Sequence, residues 1–332
     1  MVSPAPVPAL PRKSMYGDAT KVRAGGPSQF IPPPGETIAR LARRYLPSGL
    51  RFRLRLLQAD LGNFFFVQHR HVDGFLVTAK NGGSHWLKFM LSVGIAHTHG
   101  VPPPQFSTGP QAEDIIGHPA RKRRYLGMPQ ICTTHTIPSA LQRHVPRFLA
   151  RRPPIVVLVR HIEPAMLSSY LKWRGHYETL SATPLDDFAR GDPIGRRFVA
   201  DAWWYVHFFN RWGAWEAADP GRILIVRYED LVADTPAWLS RIATHLRLDF
   251  DAAAMHAALA FASKEAMRGR QDPDAGEVIV PLIESSPLAF SAGNLVAIRR
   301  ILRRFLRHDF GYGLKGQGSA LDPLGPEAPD PH

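Results

Sequence analysis

Residues 74–90 read Gly-Phe-Leu-Val-Thr-Ala-Lys-Asn-Gly-Gly-Ser-His-Trp-Leu-Lys-Phe-Met, an order that restricts the chain more than any other stretch. Phe75 to Thr78 is a short apolar run with the length and β-branched content of a buried strand. Lys80, Asn81, Gly82 and Gly83 follow. Two successive glycines let the backbone turn tightly, so that N–H groups converge. Ser84 has the chemistry of an N-cap, and Trp86, Leu87, Phe89, Met90, Leu91 and Val93 supply an apolar helical face. A strand, a glycine turn carrying a lysine, and a helix N-terminus together cradle a phosphate-type anion, because unpaired N–H groups and the positive helix end point at it. The order differs from a Walker A loop, in which the lysine follows the glycines. A plain strand–turn–helix corner with a surface lysine is the other reading.

The chain has 332 residues, enough for one large α/β domain or two smaller ones. Lysine and arginine number 41 against 28 aspartate and glutamate, an excess of +13 that favours anionic partners without naming one. Cys132 is the one cysteine, which excludes an intramolecular disulfide and a cysteine-based zinc site. No apolar run approaches the roughly 18–20 residues of a membrane span. A cytoplasmic protein is the expectation. The Pro-rich residues 1–35 lack the apolar core of a secretory signal and read as a disordered or loosely packed arm. A single α/β domain is expected over 36–313, and a flexible tail over 314–332.

Within that domain Thr37–Leu46 has helical periodicity. Arg51–Phe66 is basic and then aromatic, either a helix packing near the first strand or a patch lying on an anionic surface. Phe64, Phe65 and Phe66 are expected to pack in the core. Residues 105–128 form a polar excursion closed by Arg121, Lys122, Arg123 and Arg124, a run that reads as a solvated face. Pro129–Thr134 returns to strand character, with His135 at its carboxyl end, and Ser139 can cap a helix through Leu149. Ile155–Val159 is a continuous apolar run suited to a central parallel strand covered on both faces. Arg160 ends it, and a helix over Glu163–Trp173 follows. Arg196–Ala217 reads as a long aromatic helix and Arg222–Arg227 as a strand. Pro236–Leu246, Ala252–Arg268 and Leu295–Leu306 read as helices, and 272–287 as a loop. Strands near 75, 131, 155 and 222 alternating with helices predict a three-layer α/β/α domain around a mainly parallel sheet.

In such sheets ligands sit beyond the carboxyl ends of the strands. The polar residues there are Lys80 to Ser84, His135 and Arg160. Ser168 follows Arg160 by eight residues, about two turns into the next helix. A guanidinium and a hydroxyl so placed can share one phosphate. An arginine ending a strand can equally pair with a carboxylate or a helix C-terminus.

These motifs resemble the sulfotransferase family that uses 3′-phosphoadenosine-5′-phosphosulfate (PAPS). Ala79–Trp86 is similar to the family's Pro-Lys-Ser-Gly-Thr-Thr-Trp loop. Arg160 and Ser168 match its arginine–serine pair. Thr133-Thr134-His135-Thr136-Ile137-Pro138 resembles its Lys-Thr-His-Leu-Pro. Arg227 to Leu231 repeats its Arg-Tyr-Glu-Asp-Leu, and Phe310-Gly311-Tyr312 extends the likeness. The matches keep family order over about residues 74–232. Lys80 and Trp86 stand one residue further apart than in the family. Either the loop holds an extra residue, or Gly83 to Trp86 keep the register and Lys80 is displaced. Arg268-Gly269-Arg270 is the nearest counterpart of the family's Arg-Lys-Gly.

The resemblance implies a P-loop-like fold and sulfuryl transfer to a hydroxyl or amine without a metal. It implies that Lys80, Asn81, Gly82, Gly83, Ser84, His85 and Trp86 hold the 5′-phosphosulfate, that Arg160 and Ser168 hold the 3′-phosphate, and that Arg268 is a further cofactor-binding residue. Lys80 and His135 become the catalytic pair, the histidine as base. The acceptor stays open among small molecules, glycans and lipids, with peripheral membrane contact compatible. A nucleotide-dependent kinase or other phosphoryl transferase is the nearest rival; a basic nucleic-acid-binding protein is another, with nucleic acid the less favoured partner. A catalytically dead, lipid-associated relative, which the irregular Lys80 spacing would support, is the third.

Overall fold

The computed structural model describes residues 46–314 apart from 122, 145–151, 175–182, 196, 199, 262, 264–265, 268 and 274–287. The expected arm, the expected helix over Thr37–Leu46 save its last residue, Lys122, Arg268, most of the 272–287 loop and nearly all of the tail lie outside the described residues.

Four strands form one parallel sheet in the order β2-β1-β3-β4, where β1 is Gly74–Thr78, β2 Ile131–Thr134, β3 Ile155–Val159 and β4 Ile223–Arg227. All four are the strands that apolar runs and β-branched content predict. β3 is buried at every position, as a central parallel strand must be. Successive side chains on a strand point to opposite faces, and each face has its own core. Phe75, Val77, Ile155, Val157, Val159 and Ile223 pack on one side, and Leu76, Val156, Leu158, Leu224 and Val226 on the other.

The first core is built on α6 (Ala202–Ala218), whose Trp203, Trp204, Tyr205, Phe208, Phe209, Trp212 and Trp215 are all buried. It is completed by α1 (Ser48–Gly62), α2 (Phe65–Gln68), α4 (Ile162–Arg174), α5 (Leu185–Arg190) and α10 (Ala292–Phe305). Trp212 is fully buried, and its truncation to alanine costs about 3–5 kcal/mol. The second core draws on α3 (Ser84–Thr98), α7 (Tyr228–Ala233), α8 (Thr235–His245) and α9 (Ala252–Leu259). Layers on both faces make this the expected three-layer α/β fold.

Several boundaries differ from expectation for local reasons. The helix foreseen over Arg51–Phe66 breaks at Asn63, whose side chain accepts the Phe65 N–H at 3.1 Å and donates to the Ile137 carbonyl at 2.7 Å. Of the three consecutive phenylalanines that end it, Phe66 is buried and Phe65 partly so, while Phe64 is exposed. Of the helix expected from Ser139 through Leu149, residues 145–149 lie outside the described residues, and Ser139 itself stands before a short turn. Its hydroxyl donates to the Asp60 carbonyl at 2.7 Å and accepts the Leu141 N–H at 3.0 Å, leaving a 3-10 turn at Leu141–His144. The aromatic helix begins at Ala202 rather than Arg196 because Asp201 caps it, accepting the Trp204 N–H at 2.9 Å. The helix expected over Ala252–Arg268 closes at Leu259, after which Phe261 packs edge-on against Phe89 at 5.6 Å.

Candidate active site

Strand register decides which residues meet. Thr78 pairs with Leu158 and Val77 with Thr134, so the chain leaves β1, β2 and β3 with Lys80, His135 and Arg160 side by side at one edge of the sheet. Tyr228 leaves β4 at the same edge, since Val159 pairs with Arg227.

The turn after β1 needs its glycines. The Gly82 N–H donates to the Ala79 carbonyl at 3.0 Å, and a Cβ at Gly82 would lie 2.8 Å from that oxygen. Asn81 has φ of 54° and Gly83 of 89°, both left-handed. At Gly83 a Cβ would also fall 2.6 Å from ring carbons of Tyr228. The expected cap at Ser84 is corrected: Gly83 holds the N-cap position, and no side chain caps α3. The glycine conformation that closes the turn moves the helix start one residue on, so Ser84 becomes its first residue. The first N–H groups of any α-helix lack intrahelical acceptors. No acidic residue occupies this first turn, so the positive helix end faces the site without a competing carboxylate.

The other half of the cradle comes from β3. Arg160 donates from Nη1 to the Asn81 carbonyl at 3.2 Å, and its guanidinium lies 5.0 Å from the Tyr228 ring centroid. Tyr228 therefore contacts both Gly83 and Arg160, and it also meets Trp86 at 6.0 Å between ring centroids. The sequence singled out the segment Arg227 to Leu231 as a motif but gave Tyr228 no task. An aromatic following a strand end was the available signal.

Lys80 is fixed through its backbone and its side chain. Its carbonyl accepts the Tyr205 hydroxyl at 2.7 Å, and its ammonium sits 5.2 Å from the Trp204 ring centroid. Burial pushes its pKa down to about 8. Nearby Arg55 adds to that fall and Asp201 opposes it. Asp201 is itself fully buried, with its carboxyl held above the usual carboxylate range by burial against the pull of Arg55, and it accepts the Asp192 N–H at 2.6 Å. Gly195 lets Arg55 into this network, for a Cβ there would stand 2.4 Å from the guanidinium carbon. Tyr205, Asp201 and Arg55 were missed by sequence reasoning, because they reach Lys80 only through the packing of α1 and α6.

His135 Nδ1 lies 2.8 Å from the Thr78 carbonyl oxygen and 3.0 Å from the Thr78 hydroxyl. A ring nitrogen at that distance from a carbonyl carries the proton, which leaves Nε2 as the basic nitrogen. His135 is exposed as a residue, while protein packs densely around its imidazole. Those surroundings push its pKa down to about 4, against the Thr78 carbonyl, with Lys80, Lys172 and Lys88 adding to the fall. The imidazole is neutral at physiological pH. His85, in the first turn of α3, has a buried Nδ1 without a hydrogen-bond partner. Burial, then Lys88 and Lys172, bring its pKa down to about 3.

The structure thus joins Lys80, Asn81, Gly82, Gly83, Ser84, His85, Trp86, His135 and Arg160 in one neighbourhood. Ser168 lies half-buried in α4, six residues after Ile162, and makes no hydrogen bond to Arg160 among the described residues. Arg268 is outside the described residues. The basic run is committed locally: Arg121 pairs with Glu113 at 3.0 Å and Arg124 with Asp114, while Arg123 donates to the Met128 carbonyl.

The fold is similar to several solved structures at low identity. Mouse sulfotransferase SULT7A1 complexed with PAP is 16% identical, with 77% of this chain and 90% of that chain covered and a TM-score of 0.47. Retinol dehydratase in complex with androsterone and the inactive cofactor PAP is 12% identical, covering 71% and 80%, with a TM-score of 0.41. The sulfotransferase domain of the Synechococcus PCC 7002 olefin synthase is 17% identical, covering 68% and 93%, with a TM-score of 0.35. No curated protein matches the sequence. The profile described as Sulfotransferase domain matches residues 71–278, which spans β1 through β4 and every described residue of the cradle. The chain belongs to the sulfotransferase family and is a sulfotransferase enzyme.

Proposed function

We propose that this enzyme transfers a sulfuryl group from PAPS to a hydroxyl or amine, with His135 as base. The observation that carries the reading is the meeting of His135, Lys80 and Arg160 at one sheet edge, with Arg160 3.2 Å from the turn that Lys80 opens. These groups suit a nucleotide with anionic groups at both ends: an uncapped helix end and the two cations Lys80 and Arg160.

The donor supplies an activated sulfuryl group on a phosphosulfate anhydride. Residues of the glycine turn and the first turn of α3 hold the 5′-phosphosulfate, and Lys80 balances charge on the bridging oxygen as the sulfur–oxygen bond to phosphate breaks. Arg160 takes the 3′-phosphate, with Ser168 and Arg268 as further candidates. Tyr228 and Trp86 offer faces on which an adenine can lie. His135 Nε2 accepts the proton of the acceptor hydroxyl or amine as the new bond to sulfur forms, which balances the step. Its low pKa keeps that nitrogen unprotonated. The Thr78 carbonyl keeps the ring oriented. Acceptors among small molecules, glycans and lipids are all compatible with this arrangement.

Calorimetry tests the reading. Adenosine 3′,5′-bisphosphate binds without added metal and more tightly than ATP, and Arg160→Ala removes the advantage of the 3′-phosphate. Metal-dependent ATP binding indifferent to a 3′-phosphate would establish the phosphoryl-transfer rival instead. Transfer of labelled sulfate from PAPS to an acceptor panel then identifies the second substrate.

A further inference from the structure

Helix α1 carries apolar side chains on opposite faces. On the inner face Phe52 is buried against Trp203 and Phe305, with ring centroids 5.1 and 6.0 Å apart, and Leu56 joins the same core. On the outer face Leu50, Leu54, Leu57 and Leu61 are 43, 45, 57 and 64% exposed, and Phe64 just beyond the helix is 38% exposed. Steps of four, three and four residues align the leucines in one row along the helix. A single exposed leucine is ordinary, whereas a row of four is an uncovered surface.

Cations border this row. Arg53 is exposed on its flank. The first turn of α1 also meets the last turn of α10, since a Cβ at Gly49 would lie 3.5 Å from the Phe305 ring. α10 exposes Arg300 and Arg303, while Arg299 pairs with Glu163 at 2.7 Å. Neither helix presents an acid to answer these charges. α10 contains no acidic residue, and the one carboxylate of α1, Asp60, is bound to Arg211 at 2.8 Å. Pairing with a second copy of this face would set arginine against arginine. A row of leucines edged by guanidinium groups suits a bilayer surface, where the leucines sink below the phosphates and the arginines meet them.

We propose that the leucine row of α1, together with Arg53 of α1 and Arg300 and Arg303 of α10, docks this protein on a lipid bilayer carrying anionic headgroups. The proposal is independent of the transfer reaction. Its test is sedimentation of the full chain with vesicles of phosphatidylcholine alone or of an equal mixture of phosphatidylcholine and phosphatidylglycerol. The chain sediments with the mixed vesicles and not the neutral ones, and release follows at about 1 M salt, where the screening length falls to about 3 Å. Leu54→Gln/Leu57→Gln and Arg300→Gln/Arg303→Gln each weaken binding at least about tenfold. All four positions are exposed, and unchanged melting verifies that the variants fold. The proposal is overturned if the native chain ignores both kinds of vesicle, binds them equally, or keeps its affinity in the folded leucine variant. It is also overturned if the native chain sediments as a dimer that the leucine variant dissociates, which would assign the row to a second copy.

Discussion

Replacing Gly83 with alanine strikes the point where the turn, the helix start and the strand end from β4 touch. Two costs follow from the geometry. The residue holds φ of 89°, and left-handed backbone costs a residue with a Cβ about 1–2 kcal/mol. The added methyl also falls 2.6 Å from Tyr228, and overpacking of this kind costs about 1–3 kcal/mol. Together they remove about 2–5 kcal/mol, which for a chain of this size lowers the melting temperature by roughly 4–10 °C. The Tyr228 ring that must give way also carries the Arg160 guanidinium, 5.0 Å from its centroid. The anion grip is thereby disturbed. A charge-assisted contact is worth about 1.5–3 kcal/mol, so bisphosphate affinity falls by about 10–150-fold when Arg160 is dislodged. Thermal melting and calorimetry with adenosine 3′,5′-bisphosphate read both effects. Gly221→Ala serves as the control, because no atom lies within 4 Å of its Cβ position. If Gly83→Ala melts within about 2 °C of the native chain and binds equally well, the stacking argument is wrong.

Three further outcomes are expected. His135→Gln lowers kcat by about 10²–10⁴-fold while leaving bisphosphate affinity nearly unchanged, and in the native enzyme the acid limb of kcat/KM falls well below pH 6.5, towards the ring's pKa of about 4. A limb at or above pH 6.5 would remove His135 from the base role. Tyr205→Phe leaves the buried Lys80 carbonyl without its 2.7 Å donor, costing about 1–3 kcal/mol and loosening the turn, which urea titration and bisphosphate affinity detect together. Acid destabilises the fold from pH 6.5 downward, because burial brings His207 to about 3 and His85 to about 3, so the unfolded chain binds more protons across that window. Urea midpoints at pH 7.5 and 5 measure the slope, and His207→Phe flattens it; an equally steep slope would assign the effect elsewhere.

Much of the sheet was legible because its signals are local. Ile155–Val159 is apolar at every position, and a buried parallel strand requires that. The turn Lys80–Gly83 was equally plain, since its glycines mark a backbone that other residues resist. His135 and Arg160 could be named because parallel strands present their carboxyl ends on one side. The start of α3 was misplaced by one residue: Ser84 is a good capping residue, but cap position depends on backbone angles that the preceding glycine sets. Tyr228, Tyr205, Asp201 and Arg55 escaped notice for a different reason. Each acts on the site through a partner far away in sequence, such as Tyr205 on Lys80, and no periodicity encodes such a meeting. The exposure of Leu50, Leu54, Leu57 and Leu61 was hidden too, because a leucine row has the same spacing whether it faces a core or water.

Near the end of the described chain, the Tyr312 hydroxyl donates to the Glu229 carboxylate at 2.5 Å. The same carboxylate accepts the His161 N–H at 3.1 Å, and the His161 ring rests 5.4 Å from that of Tyr312. Glu229 thereby ties the residue after Arg160 to a position 83 residues beyond itself. Synthesis proceeds at about 5–20 residues per second, so on the ribosome every strand of the sheet emerges several seconds before this fastening can form. A nascent chain halted before Tyr312 lacks the tie beside the Arg160 guanidinium, so the backbone that follows β3 is among the last parts of this sheet edge to be fastened.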